Sequence, residues 1–463
     1  MIKFGTDGWR GVIADDFTFE NLKIVSQAIA LYLKKKKDTP RVVIGYDARF
    51  LSREFATICA LTLGANKIKV VISQNYVPSP IVSFNSLKGN YDLGIMITAS
   101  HNPAQFNGLK IKTPQGAAAD ESLTNEIERL LYKGKIKSIS WEEAKKKGLI
   151  EVKEITSCCV NFLKGFVNLK KIRKLKLKLL VDVMYGAGDK FIEKVISPSS
   201  FKIDYLHNEF NPSFGGIHPE PTSNNLKELI EKVKKYNYDL GVALDGDGDR
   251  LAVVTPKIGF IDAQVLLPLL AIHVIKNRKE KGGIGKTVVG SNLIDEVALS
   301  LGVECYETKV GFKHISNLFQ KDLICIGGEE AGGIGLKRYI PERDGTASFL
   351  LLLEMMAYEK KDLESLLKEL WKKYGRWYYQ RTSISLKDMK RKSLGKLKIP
   401  HHLLGKKVER VNTLDGIKLI TKDTWLMLRK SGTEPIIRIY AEAKTKKETT
   451  SLLNLGKELI YAL

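Results

Sequence analysis

Residues 91–103 read YDLGIMITASHNP, and residues 238–250 read YDLGVALDGDGDR. Both open on the same YDLG, pass through three apolar residues and end in a polar loop. Residues 322–333, DLICIGGEEAGG, have the same form: a short apolar run entering a loop dense in glycine and carboxylates. Short apolar runs bounded by turn residues are the pattern of buried strands. Three strands therefore each deliver a chemically loaded loop at the C-terminal end. Upstream, residues 21–34 place Leu22, Val25, Ala28, Ile29 and Tyr32 at helical spacing, and RVVIG at 41–45 and KVVI at 69–72 bracket a second apolar helical stretch over 55–63. This alternation predicts an α/β chain of three similar α/β domains with mixed or parallel sheets, around one central cleft. In such folds ligands sit beyond the carboxyl ends of the strands. Beyond Thr382 the pattern changes: short β-prone runs at 425–428 and 436–441 flank RKSGTEP, and a helix closes the chain, as in a smaller α+β domain. The expected divisions are 1–150, 151–255, 256–372 and 373–463.

The composition bounds the function. With 463 residues, at about 100–200 per domain, several domains are expected. The 44% hydrophobic and 27% charged fractions exclude a disordered or collagen-like chain. The longest apolar stretches, 265–275 and 349–353, fall well short of the ~20 residues of a spanning helix, and the first carries Pro268. No membrane association and no signal peptide are expected, since FGTDGWRG at 4–11 is polar and glycine-rich. Five scattered cysteines without CxxC spacing argue against a disulfide scaffold or a cysteine zinc site and suit a reducing cytoplasm. The formal charge is +23, with lysine clusters at 34–37, 145–147 and 170–178. Such clusters can be a nucleic-acid footprint or solvated helix faces. Their spread along the chain, without interleaved aromatics, favours the second reading and no nucleic-acid partner. A cation surplus also suits a small anionic substrate.

Three loops carry chemistry. DGDGDR at 245–250 sets carboxylates at i, i+2 and i+4 (Asp245, Asp247, Asp249), hard oxygen ligands suited to Mg²⁺ or Ca²⁺. Left uncompensated they would repel one another. An EF-hand would need glycine in place of Arg250 and glutamate in place of Pro256. TASHNP at 98–103 puts Ser100 before His101, without the G-x-S-x-G elbow of a hydrolase. The pair reads either as a hydrogen-bonded turn or as a serine that carries phosphate, about −1.5 to −2 in charge and able to offer an oxygen to a metal. Lys110 follows in FNGLKIK. RKSGTEP at 429–435, with Arg438 beyond, is either a plain β-turn or a phosphate cradle of bidentate arginine and backbone N–H groups. GIGKT at 283–287 resembles the tail of a phosphate-binding P-loop, but Glu280 stands where its first glycine belongs. It is expected to be a connecting turn before a strand.

Taken in order, FGTDGWRG, TASHNP, DGDGDR, TKVGFK, GGEEAGG and RKSGTEP resemble the motifs of the α-D-phosphohexomutase superfamily, which includes phosphoglucomutase and phosphomannomutase, along nearly the whole chain. That resemblance implies four domains, the last a more mobile phosphate-binding one. It makes Ser100 a phosphoserine, with Asp245, Asp247 and Asp249 holding Mg²⁺ together with a phosphoserine oxygen. Arg10, His101, Lys110 and Arg250 would steady the transferring phosphoryl group and move protons. Thr308, Lys309, Gly311 and Lys313 would contact substrate, Glu329 and Ala331 would face the sugar ring, and Arg429, Ser431, Gly432, Thr433 and Arg438 would grip the non-reacting phosphate. The implied reaction interconverts hexose 1-phosphate and hexose 6-phosphate through a bound hexose 1,6-bisphosphate, which also serves as activator. The implied partner is a small sugar phosphate, and the enzyme a monomer or homodimer. GEEA at 328–331 is nearest to the GEES loop of glucose-preferring relatives, but Ala331 departs from it. Mannose or dual specificity, glucosamine and pentose substrates stay open, as do a metal-dependent phosphatase and a nucleic-acid-binding protein on a retired enzyme fold.

Overall fold

The computed structural model describes residues 2–5, 7–196, 201–385, 394–431 and 436–462. Each of the three repeated passages forms an inner strand, Leu93–Ile97, Leu240–Leu244 and Ile324–Gly328, buried along its whole length. On one side each pairs in parallel, with Arg41–Tyr46, Leu177–Asp182 and Gly283–Thr287 respectively. On the other each pairs antiparallel, with Phe106–Lys112, Leu251–Thr255 and Ile334–Leu336. Burial on both faces explains why these strands read as continuous apolar runs and not as alternating ones. The shared YDLG has a packing reason. A Cβ on Gly94 would stand 2.2 Å from Ser86 Oγ, and one on Gly241 2.5 Å from Val233 Cγ2. Both contacts come from a helix crossing the strand, Ser79–Lys88 or Lys227–Lys235.

The three units sit in mixed sheets of six, five and four strands, and a five-stranded antiparallel sheet follows, covered by the helix Lys446–Tyr461. The first sheet reaches past residue 150, because Ile150–Lys153 pairs with Lys69–Ser73. The second likewise takes in Gly259–Ile261, beyond the expected limit at 255. GIGKT is not a connecting turn. Gly283–Thr287 is an inner strand of the third sheet. Its glycines mark close approach and not flexibility, since a Cβ on Gly283 would lie 2.4 Å from the Glu304 carbonyl oxygen.

One apolar cluster runs through the first three units, from Val43 and Val181 to the buried helix Gly345–Glu359. The last domain keeps a separate core around Ile384, Leu426 and Leu452. It meets the third along a seam of Val288, Val289, Trp425, Met427 and Tyr440. Among the described residues no helix is long and apolar enough to cross a membrane.

Candidate active site

The first loaded loop leaves the Leu93–Ile97 strand and turns at Ser100, whose φ is +54°. Outside glycine such a backbone is uncommon and persists only where neighbours hold it. Here the holder is Arg49, itself buried. Its Nη2 donates to the carbonyls of Ser100 at 2.5 Å and Asn102 at 2.6 Å, and its Nη1 to those of Pro103 at 2.9 Å and Phe106 at 3.0 Å. Asp47 ties the arrangement together, accepting from Arg49 Nε at 3.1 Å and from Thr98 Oγ1 at 2.5 Å. Ser100 Oγ is thereby set 3.3 Å from Asp245 Oδ2.

The second loop leaves the Leu240–Leu244 strand. Asp245, Asp247 and Asp249 are fully buried, and each offers an oxygen within 4.8 Å of the others'. Glycine is required between them: a Cβ on Gly246 would sit 2.5 Å from the Ser100 carbonyl oxygen, and Gly248 has φ +70°. Asp245 Oδ1 accepts the N–H groups of Asp249 at 2.9 Å and Arg250 at 3.1 Å. Lys110 Nζ lies 2.8 Å from Asp7, 2.8 Å from Asp247 and 3.2 Å from Asp249. Burial, then the charges of Asp249 and Asp247, push the Asp245 carboxyl well above its ordinary range. Burial also raises Asp247, but Lys110 outweighs it and the net shift is downward. Lys110 in turn is held protonated, its carboxylate neighbours overcoming burial. Asp247 Oδ1 is buried with no hydrogen-bond partner among the described residues. A clustered all-oxygen donor set with an unsatisfied oxygen fits a hard divalent cation.

The third loop enters through a residue not singled out in the sequence. Arg343, also buried, places Nη2 2.7 Å from Asp7, Nη1 2.7 Å from Glu329 and Nε 2.9 Å from Asp249. Glu329 belongs to the GEEA loop, which is stitched to the metal-loop strand by Leu251 N donating to the Gly332 carbonyl at 3.0 Å. Burial pushes the Glu329 carboxyl up to about 7 against the pull of Arg343. Lys112 and Glu342, both buried, pair at 2.6 Å beside it. The signal for Arg343 is the charged PERDG stretch, 341–345, directly ahead of an apolar helix. Asp7 lies inside FGTDGWRG, three residues before Arg10.

The structure brings the candidate residues Arg10, Arg250 and His101 to the same place. Arg10 Nη1 donates to Asn102 Oδ1 at 2.6 Å and its Nη2 lies 3.5 Å from Asp7. Arg250 Nε stands 3.7 Å from Asp245, and Nη1 3.3 Å from Glu220. Burial, then the cations Arg250 and Arg10, hold the His101 imidazole well below its ordinary pKa. Its ring faces that of His218 at 6.4 Å.

The other candidate residues lie in the third and last domains. Thr308 ends the Cys305–Thr308 strand, with its Oγ1 donating to the Lys309 carbonyl at 3.0 Å. Gly311, at φ +123°, opens the Phe312–Gln320 helix, and Lys313 in its first turn pairs with Glu121 at 2.6 Å. Asp415 joins this loop to the RKSGTEP segment by accepting from Val310 N at 2.9 Å and Arg429 Nε at 2.8 Å. Arg438 lies opposite Arg429 in the strand register, and Ser431 follows the Trp425–Lys430 strand. Ala331 is half-buried in the GEEA loop. Gly432 and Thr433 lie outside the described residues.

Comparison with known proteins bears on this arrangement. Four family models match in order: phosphoglucomutase/phosphomannomutase alpha/beta/alpha domain I over residues 1–137, domain II over 159–259, domain III over 262–374, and the C-terminal domain over 384–454. A phosphoglucomutase/phosphomannomutase of Thermococcus kodakarensis is 31% identical, with 99% of this chain and 98% of the relative covered. A phosphoglucosamine/phosphogalactosamine mutase of Sulfurisphaera tokodaii is 32% identical, with the same coverage. The crystal structure of a Thermus thermophilus protein assigned as a phosphomannomutase superposes with a TM-score of 0.88 at 32% identity, covering 99% of both chains.

Proposed function

The chain belongs to the phosphoglucomutase/phosphomannomutase family, and from that premise we propose that it interconverts hexose 1-phosphate and hexose 6-phosphate through a phosphorylated Ser100. The observation that carries the reading is the 3.3 Å approach of Ser100 Oγ to Asp245, within a carboxylate triad that Lys110 spans from the neighbouring domain. Asp245, Asp247 and Asp249 would hold Mg²⁺ with a phosphoserine oxygen, and the bound ion supplies charge neutralisation to the transferring phosphoryl group.

The chain's own residues do the rest. The Ser100 O–P bond breaks as a P–O bond forms to the free sugar hydroxyl; the hydroxyl proton passes to His101, kept neutral by burial and by neighbouring cations, and is returned to the Ser100 oxygen that the phosphoryl group leaves. Lys110, kept charged by Asp247 and Asp249, joins Arg10 and Arg250 in offsetting phosphoryl charge. Arg429, Ser431, Gly432, Thr433 and Arg438 hold the phosphate that does not react, and Thr308, Lys309, Gly311 and Lys313 lead the substrate toward Glu329 and Ala331. The resulting hexose 1,6-bisphosphate turns end for end, and its other phosphate returns to Ser100. The same bisphosphate, added in trace, primes the enzyme. Water must be kept out meanwhile, because it would drain the phosphoenzyme.

Glucose is the preferred sugar on the strength of GEEA. An amino sugar is the second reading, favoured by the 32% identical phosphoglucosamine/phosphogalactosamine mutase. A coupled assay on glucose, mannose, glucosamine and ribose 1-phosphates at trace 1,6-bisphosphate tests both. The highest kcat/KM is expected for glucose 1-phosphate, and glucosamine 1-phosphate ahead of it would assign the second reading. Release of inorganic phosphate in place of hexose 6-phosphate would make the chain a phosphatase.

A further inference from the structure

Glu220, a half-buried carboxylate, has no part in the transfer scheme. Glu220 follows His218 and Pro219 in a loop packed against the aspartate triad, where the Pro219 carbonyl accepts the Gly246 N–H at 3.2 Å. A single oxygen of Glu220, Oε1, takes two guanidinium groups: Arg250 Nη1 at 3.3 Å and Arg381 Nη2 at 2.7 Å. Arg250 ends DGDGDR. Arg381 lies in the Tyr378–Ser385 strand, the first of the last domain's sheet. Burial raises the Glu220 carboxyl, but Arg381 and Arg250 outweigh it and hold it ionised. One carboxylate thus joins a residue of the phosphoryl site to the domain that would grip the other phosphate.

We infer that Glu220 is a positioning residue: it aims Arg250 and clasps the last domain to the second while the bisphosphate is detached from Ser100. The inference rests on the mutase reading, in which the doubly phosphorylated sugar must turn without escaping. A clasp at the mouth of that step governs escape, whereas a residue of purely structural role would change stability and leave the partition of the intermediate alone.

The test uses the full chain, with ¹³C-labelled hexose 1-phosphate as substrate and the phosphorylated enzyme. Labelled hexose 1,6-bisphosphate released per turnover, and the dependence of rate on added bisphosphate, are measured for the parent protein, Glu220→Gln, Arg381→Gln and the double variant. Each single change is expected to raise escape about tenfold, and the double no further than the larger single, because both remove the Glu220–Arg381 contact. Arg381→Gln, which leaves Glu220 on Arg250, should lower kcat at saturating bisphosphate less than Glu220→Gln does. Escape equal to that of the parent, or effects that multiply, would overturn the clasp. Should Glu220→Gln not fold, Arg381→Gln carries the test alone, since that side chain is 33% exposed. A parent protein that interconverts no hexose phosphate defeats the mutase reading. An active parent with indifferent variants defeats only the clasp.

Discussion

Around Ser100 three domains meet over buried charge, and Arg343 touches a carboxylate from each: Asp7, Asp249 and Glu329. Around Arg429 the last domain meets the third over the Val288, Val289, Trp425, Met427 and Tyr440 seam, edged by Lys418 and Glu307, and keeps a core of its own. Buried ions are costly unless every partner is in place, so an ionic junction has one good geometry. Apolar contact is non-directional and survives small displacements. The Ser100 end is therefore over-determined, while the Arg429 end belongs to a unit with a core of its own. That difference suits a reaction in which one end of the substrate must be placed to a fraction of an ångström and the other must be released and recaptured.

The comparison breaks most plainly at Ser100. Ser100→Ala is expected to cost at least ~10³-fold in turnover and to abolish incorporation of labelled phosphate into the protein. Near-normal turnover would mean that the rigid end is not where chemistry occurs. Arg343→Met removes a cation shared by three carboxylates, leaving Asp7 and Asp249 to Lys110 and taking the ion pair from Glu329, and a stability loss of ~3–5 kcal/mol is expected by urea unfolding. A loss no larger than that of a surface ion pair, under ~1 kcal/mol, would erase the contrast between the two junctions.

The seam offers a gentler test through pH. Lys418 donates to the Val288 carbonyl at 2.6 Å and lies 3.3 Å from Glu307. Burial, then Lys286, pull its pKa down to about 8, with Glu307 and Asp295 opposing. The unfolded chain holds this proton up to about 10.4. Between the two values the unfolded state binds the proton and the folded state does not, so stability rises with pH across that window. Relative to Lys418→Met, the parent protein should gain up to ~3 kcal/mol between about pH 7.5 and 10.5. A difference flat with pH would show that the ammonium is better solvated than its burial implies.

Much of the site was legible because its loops are local. An apolar run, a turn and a dense cluster of chemistry are encoded within a dozen residues, and DGDGDR or TASHNP needs nothing distant to be noticed. Arg343, Arg49 and Glu220 were not legible for the opposite reason. Each is an ordinary charged residue in sequence, and the partners that give it meaning are remote, Asp7 lying 336 positions from Arg343. GIGKT was misread because glycine in a strand and glycine in a turn look alike until the neighbouring backbone is in place.

By itself the sequence determined the three repeated strands, the loops they carry and the residue types available for binding metal and phosphate, since these follow from short-range periodicity and spacing. Only the tertiary structure decided that Asp7, Asp249 and Glu329 share Arg343, that Gly246 must admit the Ser100 carbonyl, and that Glu220 faces two arginines. Those outcomes depend on which charges lose their water when separate domains close on one another, and no stretch of chain records that alone.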